Sequence, residues 1–490
     1  MLLWGSSSAW ADDGPTARRA RGDVLVEADA PEGPEGGSSR RFHGEARLGV
    51  GFGMVREDPV AALSPAVTFD LRDLIGLRFG LGAAFRLRLV DREPDDEGVL
   101  RRQDWDEAGD YLAILQRLEY AEQLVFGATG QVDLDVRAGR LGRVELGHAS
   151  LIRGFHNSLD IDRNRTGVDM VARVQGELLE VPAAIDLGLV ATDLSGHQVL
   201  GGRIGAQWAG AGLGFSAVGD PTAPHAIARD PADPGAFSVG RGRRLQHEGR
   251  RGVGALGLDL SYRASDAWNY AITPYLDLAL LPGLGRGLHL GLDTEVTLGR
   301  RRRVRLGAVA ELTVGNDGYD PAYFDVFYLY QRWQVPFVAR VGDRPAELGT
   351  EALPKRAFVH EADLGGVGGY GALRFEHADG AYAETGYQFR PGPLGHTWHM
   401  RVGVDLQPVE LSVLYAHRGE RHGFEPTARG TVTLTEVRVP VLRYLDVMAQ
   451  AGWLFAIRPD TSDTIAPASD AAIVTGAGQF LLGAAGRVPW

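Results

Sequence analysis

Residues 287–298 read GLHLGLDTEVTL. Leu288, Leu290, Leu292, Val296 and Leu298 share one parity, and His289, Asp293, Glu295 and Thr297 share the other. Successive side chains of an extended strand point to opposite faces, so this stretch reads as a strand with one apolar and one polar face. The same period recurs along most of the chain, and that recurrence is what constrains the fold. In EARLGVGFGM (45–54), Ala46, Leu48, Val50, Phe52 and Met54 stand opposite Glu45 and Arg47. In LRFGLGAAFRLRLV (77–90), Leu77, Phe79, Leu81, Phe85, Leu87 and Leu89 stand opposite Arg78, Arg86 and Arg88. QVDLDVRAG (131–139) sets Val132, Leu134 and Val136 against Asp133, Asp135 and Arg137. The pattern returns at 255–263, 304–314, 400–406, 409–416 and 444–457. No apolar stripe of helical period and length is visible. The ambiguous stretch is 110–122, which reads as a short helix or a strand.

So many half-apolar strands need a cover. A soluble fold would supply helices or a second sheet, and the chain offers no further apolar layer. A solenoid or propeller would show a fixed repeat, and none is present. The polar parity is charged rather than merely polar, which suits a wet or ion-paired interior. Acyl chains remain as the cover. In hydrocarbon an unpaired backbone N–H costs several kcal/mol, so strands facing lipid must close into a cylinder. The connections agree. Short ones fall at 72–76, 299–303, 407–408 and 440–443, and long polar ones at 91–109, 220–252, 342–358, 419–427 and 458–470. The expected fold is all-β: a closed antiparallel transmembrane β-barrel of about 18–22 strands, with short turns at one end and long loops at the other.

The start, MLLWGSSSAWADD, has a short apolar core and an Ala-x-Ala site at Ala9–Ala11. It reads as a partial signal peptide over 1–11. Residues 12–41 are rich in Pro, Gly and charge, which predicts a disordered leader ahead of a barrel spanning 42–490. The chain ends in GRVPW, with Trp490 last. Alternation, loop asymmetry, an export-type start and a terminal aromatic together resemble Gram-negative outer-membrane β-barrel proteins of the porin-like class. That resemblance implies outer-membrane residence among lipid and lipopolysaccharide, with the short turns periplasmic and the long loops extracellular. It also implies that barrel-assembly machinery reads the strand ending at Trp490. The short leader leaves no room for the plug domain of a TonB-dependent receptor. Trp333, Tyr328, Tyr330, Tyr415, Tyr444, Trp453, Phe455 and Trp490 are expected near strand ends or facing outward, as an interfacial girdle.

The net charge of −12 gives no basic patch for nucleic acid, and the absence of Cys excludes disulfides and thiolate metal sites. Lys355 is the one lysine. The stretch RVELGHASLIRGFHNSLDIDRNRTG (143–167) breaks the alternation. It gathers His148, Arg153, His156, Asn157, Asp160, Asp162, Arg163, Asn164 and Arg165. Two readings stand: a segment folded into the lumen that narrows the pore or holds a ligand, or a long ion-paired loop. A metal reading is weaker. DIDRN opens like a calcium loop, but Arg165 stands where Gly is required and Val171 where Glu is. His148 and His156 have no third ligand indicated in the sequence. GVGGYG (366–371) precedes a strand rather than a helix, so it is no dinucleotide fingerprint. Neither a G-x-S-x-G nor an H-E-x-x-H motif occurs. The expectation is therefore no enzyme, no metal and no cofactor.

Inward charges of both signs are nearly balanced, predicting a weakly selective or internally ion-paired lumen. Candidate lumen or constriction residues are Arg78, Arg86 and Arg88 on one strand, Asp293 and Glu295 on another, and the charged members of 143–167. The function this supports is a channel passing small polar solutes. The alternative is a non-conducting, occluded barrel whose 220–252 and 342–358 loops bind a partner.

Overall fold

The computed structural model describes residues 43–55, 58–90, 99–101, 104–105, 107–127, 130–159, 165–228, 231, 237–240, 244–266, 269–299, 303–333, 340–341, 344–345, 354–378, 380–390, 392, 395–406, 409–419, 430–457, 464–465 and 474–489. The signal-like start, the 12–41 leader, Asp160, Asp162, Arg163, Asn164 and Trp490 lie outside them, as does the side chain of Phe455.

The alternating runs are strands. They are β1 (His43–Val55), β2 (Asp58–Leu71), β3 (Leu77–Gly82, resumed at Phe85–Arg88), β4 (Leu115–Phe126) and β5 (Gly130–Gly139). Next come β6 (Gly167–Leu178), β7 (Val181–Ala191), β8 (Leu200–Trp208), β9 (Ala211–Asp220) and β10 (Val253–Tyr262, extended by Ala264–Asp266). Then follow β11 (Tyr270–Leu281), β12 (Gly285–Leu298), β13 (Val304–Gly315), β14 (Gly366–His377) and β15 (Ala381–Phe389). The last are β16 (His396–Leu406), β17 (Val409–Gly419), β18 (Thr431–Leu442), β19 (Leu445–Ile457) and β20 (Val474–Pro489). The ambiguous stretch at 110–122 is both things at once: a short helix, Ala108–Leu112, runs into β4.

Each strand pairs antiparallel with the next, and β20 pairs back onto β1 from Glu45↔Pro489 to Met54↔Phe480. The described residues thus form a closed barrel of 20 strands. No helix among them is long and apolar enough to cross a membrane, so any crossing is made by strands. Strands run from 9 residues at β8 to 16 at β20. About 9–11 tilted residues suffice to cross the hydrocarbon core.

The outer wall is apolar and the inner wall charged. Leu290 is 57 % exposed while its neighbour His289 is 0 % exposed. Leu48, Phe52, Ile204, Leu213, Leu373 and Leu482 are exposed like Leu290, whereas Arg86, Asp259, Asp277 and Glu311 are buried. This inversion of the usual arrangement is stable only where hydrocarbon replaces water outside, so the barrel is transmembrane. Leu290→Arg, with its side chain on that face, is expected to lower barrel stability by about 2–4 kcal/mol. Urea unfolding in lipid vesicles measures it, and an unchanged midpoint would refute the outward assignment.

The first and last strands begin and end at the same rim, where Glu45 faces Pro489. Turns at that rim are short: 72–76, 127–129, 179–180, 209–210, 267–269, 299–303, 378–380, 407–408 and 443–444. The long stretches between strands, 89–114, 140–166, 221–252, 316–365 and 458–473, join strand ends at the opposite rim.

Two of those long connections turn inward. The first leaves β5 at Gly139, whose φ of +112° and proximity to the Gln116 carbonyl exclude a side chain: a Cβ would stand 2.4 Å from that oxygen. The second leaves β13 at Asn316. The two meet inside the barrel, where Ile152–Arg153 pairs in parallel with Phe324–Asp325. Around this contact Leu151, Ile152, Phe155, Tyr319, Phe324 and Tyr328 pack against the inner faces of Val190, Val218 and Leu281. A second cluster joins Val326 and Phe327 to Leu414, Val432, Leu434 and Leu481 on the opposite wall. The long-loop half of the cylinder therefore carries a packed core across its bore.

Two expectations are corrected by this packing. Tyr328 is buried, and Tyr330 and Trp333 pack against the interior cluster, so these three are core aromatics rather than a girdle. They belong to an inward segment that has no strand parity to read. Tyr444 is exposed at the short-turn rim and Trp453 is half-buried on the wall, while Tyr415 is sealed edge-on against Trp398. Residues 354–358, expected in a surface loop, place Lys355 and Phe358 in the interior.

Candidate functional site: a charged vestibule under a pinned ceiling

The first inward segment folds back on itself. Val144 and Phe155 bridge antiparallel through backbone bonds of 2.9 and 3.2 Å. Asn157 closes the loop. Its Oδ1 accepts from the Leu141 N–H at 2.8 Å, and its Nδ2 is within 3.0 to 3.3 Å of the Thr192, Arg165 and Gly139 carbonyls. One amide thus ties both ends of the segment to the mouths of β5 and β7.

The segment's cations attach it to the wall. Arg153 donates to both oxygens of Glu311 on β13 at 3.0 Å, and its guanidinium lies 3.9 Å from the centre of the Tyr370 ring. Glu311 also accepts from the Tyr275 hydroxyl at 2.8 Å and lies 3.0 Å from His289 Nδ1. His289 in turn contacts the Tyr319 hydroxyl of the second segment. Arg143 bridges Glu145, at 2.9 Å, and Glu384 of β15, at 2.8 Å. Burial opposes charge on Arg143 and Arg153, but Glu145 with Glu384 and Glu311 outweigh it, so both are held charged more firmly than a free arginine.

Below this ceiling, toward the short-turn rim, lies a cavity of about 300 Å³. His148, Arg153, Asp293 and Glu295 all line it, so four residues singled out from sequence converge there. Its walls are ion-paired rather than of one sign. Arg137 meets Asp135 at 3.2 Å, Arg173 meets Asp186 at 3.6 Å, and Arg305 meets Glu295 at 2.7 Å. Arg203 meets Asp259 at 2.7 Å, and Arg374 lies 3.9 Å from Asp293. The pairs form within one strand (Arg137–Asp135), between neighbouring strands (Arg173–Asp186, Arg305–Glu295) and across an intervening strand (Arg203–Asp259, Arg374–Asp293).

The other candidates lie elsewhere. Arg86 and Arg88 are buried on β3, where Arg86 shares Asp104 with Arg101 at 3.1 and 3.0 Å. Arg78 lies near the short-turn rim, 4.0 Å from Asp70. Arg165 pairs with Asp193 at 2.8 Å. Burial opposes ionisation of that carboxyl, yet Arg165 and the Ser195 and Gly196 donors hold it below its usual value. His156 is buried and kept neutral, first by desolvation and then by Arg401 and Arg143.

One cluster escaped sequence reading. Asp320 and Asp325 of the second segment hold Lys355, Arg390 and Arg418 deep in the interior. Lys355 Nζ is 2.9 Å from Asp320 and donates to the Tyr323 carbonyl at 2.5 Å. Arg390 is 3.2 Å from each acid. Arg418 of β17 contacts Asp325 and donates to Gln331 at 2.7 Å and Thr397 at 3.1 Å. Nearby, Asp220 takes Arg332 at 3.0 Å and the Tyr328 hydroxyl at 2.8 Å. The lone lysine was the only available signal. A lysine in a chain that otherwise uses arginine suits a compact cage that a planar guanidinium would not fill.

No family model matches the chain, and no curated protein matches it either. Solved structures do resemble it in fold. The ferric enterobactin receptor of Pseudomonas aeruginosa in complex with enterobactin is 8% identical, over 93% of this chain and 82% of that one, with a TM-score of 0.35. The outer membrane protein opdK of the same organism is 12% identical over 92% and 99%, with a TM-score of 0.32. The ferric-catecholate import receptor Fiu of E. coli K12 is 8% identical over 93% and 82%, with a TM-score of 0.37. At such values nothing these proteins bind transfers to this chain, and the closed barrel rests on its own strand pairings.

Proposed function

We propose that the protein is an outer-membrane transport barrel of the channel type, admitting small polar solutes to a charged vestibule under a ceiling that buried ion pairs hold in place. The observation that carries this reading is the cavity of about 300 Å³, lined as far as Gly210 and Arg263 at the short-turn rim and walled by paired charges of both signs. Paired walls hydrate a polar solute without trapping it, and a lumen without excess charge discriminates weakly between cations and anions. The reading includes binding and passage, not chemistry on the solute, and no cofactor. It places the long loops outside the cell among lipopolysaccharide and leaves insertion to the barrel-assembly machinery acting on the last strand.

Purified full-length protein in planar lipid bilayers tests it. Discrete conductance steps with a reversal potential near zero in a salt gradient are expected. A second reading, an occluded barrel that binds a partner, draws support from the apolar packing of Phe155, Phe324 and Phe327 across the bore. Silence in the bilayer at all voltages would reject the channel and leave that second reading.

A further inference from the structure

We propose that His148, Asp259 and Asp277 form a binding site for one divalent transition-metal ion, at the joint between the first inward segment and the barrel wall. The three side chains offer one imidazole nitrogen and two carboxylate oxygens, all within 4.8 Å of one another. His148 comes from the segment, Asp259 from β10 and Asp277 from β11. No spacing along the chain joins the three, because separate elements contribute them.

The charge balance points to a cation. Asp259 and Asp277 face each other directly across the β10–β11 register. Like charges directly opposite on one face are destabilising. Both carboxylates are buried, at 4 % and 2 % exposure, so water does little to screen them. Arg203 offsets one, donating to Asp259 at 2.7 Å. The Asp277 carboxylate takes a hydrogen bond from Ser150, yet its Oδ1 is buried without a hydrogen-bond partner. A sealed oxygen lone pair facing a second carboxylate and an imidazole is what a bound cation satisfies.

The surroundings resemble those of a ligand shell. The His148 ring stacks on Tyr275 with centroids 4.2 Å apart and planes 1° apart, which fixes its orientation. Its Nε2 stands 3.8 Å from Asp259, too far for a strong hydrogen bond and close enough to share an ion. Arg203 orients Asp259 from behind, the outer-shell role that tunes a metal-bound carboxylate. Gly214 makes the space, since a Cβ there would lie 2.3 Å from both an Asp259 oxygen and Arg203. His148 also lines the vestibule, giving an ion an entry path and room for water in its remaining positions.

One nitrogen and two oxygens suit Zn²⁺, Mn²⁺ or Co²⁺. Ca²⁺ prefers six to eight oxygens and is excluded as the preferred ion. Bound metal would latch His148, and with it the segment, onto β10 and β11. This inference does not depend on whether the barrel conducts.

The test uses full-length protein folded in detergent, stripped with chelator and titrated with Zn²⁺. Bound zinc is counted by elemental analysis after desalting, and Co²⁺ replaces it for visible spectroscopy. One tight equivalent is expected, with Co²⁺ bands of mixed nitrogen–oxygen coordination. His148→Ala and Asp277→Asn should each weaken binding at least tenfold, with folding checked by heat-modifiable migration on gels. If Asp277→Asn does not fold, His148→Ala decides. Absence of any tight equivalent of zinc, cobalt or manganese would overturn the site and leave a shared proton as the neutraliser. Equal affinity in wild type and variants would overturn it too.

Discussion

Asp325→Ala is expected to destabilise the protein by about 3–5 kcal/mol, because removing one member of a buried charge cluster strands the others. Asp325 is the shared acceptor of Arg390 and Arg418 and lies 4.0 Å from Lys355. Asp320 still answers Lys355 and Arg390 in the variant, so the loss falls on Arg418, which loses its direct carboxylate and keeps the Gln331 and Thr397 dipoles, the Phe327 ring and the more distant Asp320. The second inward segment should then detach from β17, and single-channel conductance should rise. Urea unfolding followed by tryptophan fluorescence measures the first effect and bilayer recording the second. A variant with wild-type stability would show that the cluster does not hold the segment.

The same cluster carries a pH dependence. Burial would raise the Asp325 carboxyl, but Arg418, Lys355 and Arg390 hold it well below the usual carboxylate range. Its folded value thus lies below its unfolded one. The associated stability is complete above about pH 4–5 and is lost as pH falls through the acid range toward the folded value. Unfolding free energy measured from pH 7 to pH 3 should fall for wild type. It should fall less for Asp325→Ala, which has no such proton to take up.

Glu311→Gln should cost a similar amount, about 3–5 kcal/mol, by leaving Arg153 buried without its carboxylate. Glutamine still accepts from Tyr275 and keeps the side chain's shape, so the loss isolates charge. Arg153→Met alone leaves Glu311 facing His289 and Tyr275. The double variant Arg153→Met/Glu311→Gln removes both charges and should regain most of the stability, since an apolar substitute for a buried pair is often nearly neutral. Additive losses in the double variant would refute the pairing. The ceiling should also loosen in Glu311→Gln, read as faster hydrogen exchange at residues 144–155.

The barrel was legible because its signal is local. Parity depends on adjacent residues, and each strand repeats it independently, so single lapses such as Thr294 do not erase the reading. Loop asymmetry is equally local. The lumen segment 143–167 was visible only as a break in that pattern. The break could not distinguish a surface loop from a ceiling, because the deciding contacts are remote: Arg153 meets Glu311 at a separation of 158 residues. His148, Arg153, Asp293 and Glu295 were named individually and do share one cavity. Arg86 and Arg88 were named beside them but lie elsewhere on β3, both buried, with Arg86 paired to Asp104.

Tyr328, Tyr330 and Trp333 show the limit most clearly. A tyrosine serves as well at a headgroup boundary as in a packed core with its hydroxyl satisfied, as Tyr328 does with Asp220. The sequence alone determined a closed, lipid-facing β-cylinder with a charged inside, because backbone hydrogen bonding in hydrocarbon permits no other use of so many amphipathic strands. Only the tertiary structure decided that the bore is crossed by two inward segments and which acid holds which base. Ion pairs inside a cylinder are chosen by radial position and height, and neither is a property of neighbouring residues along the chain.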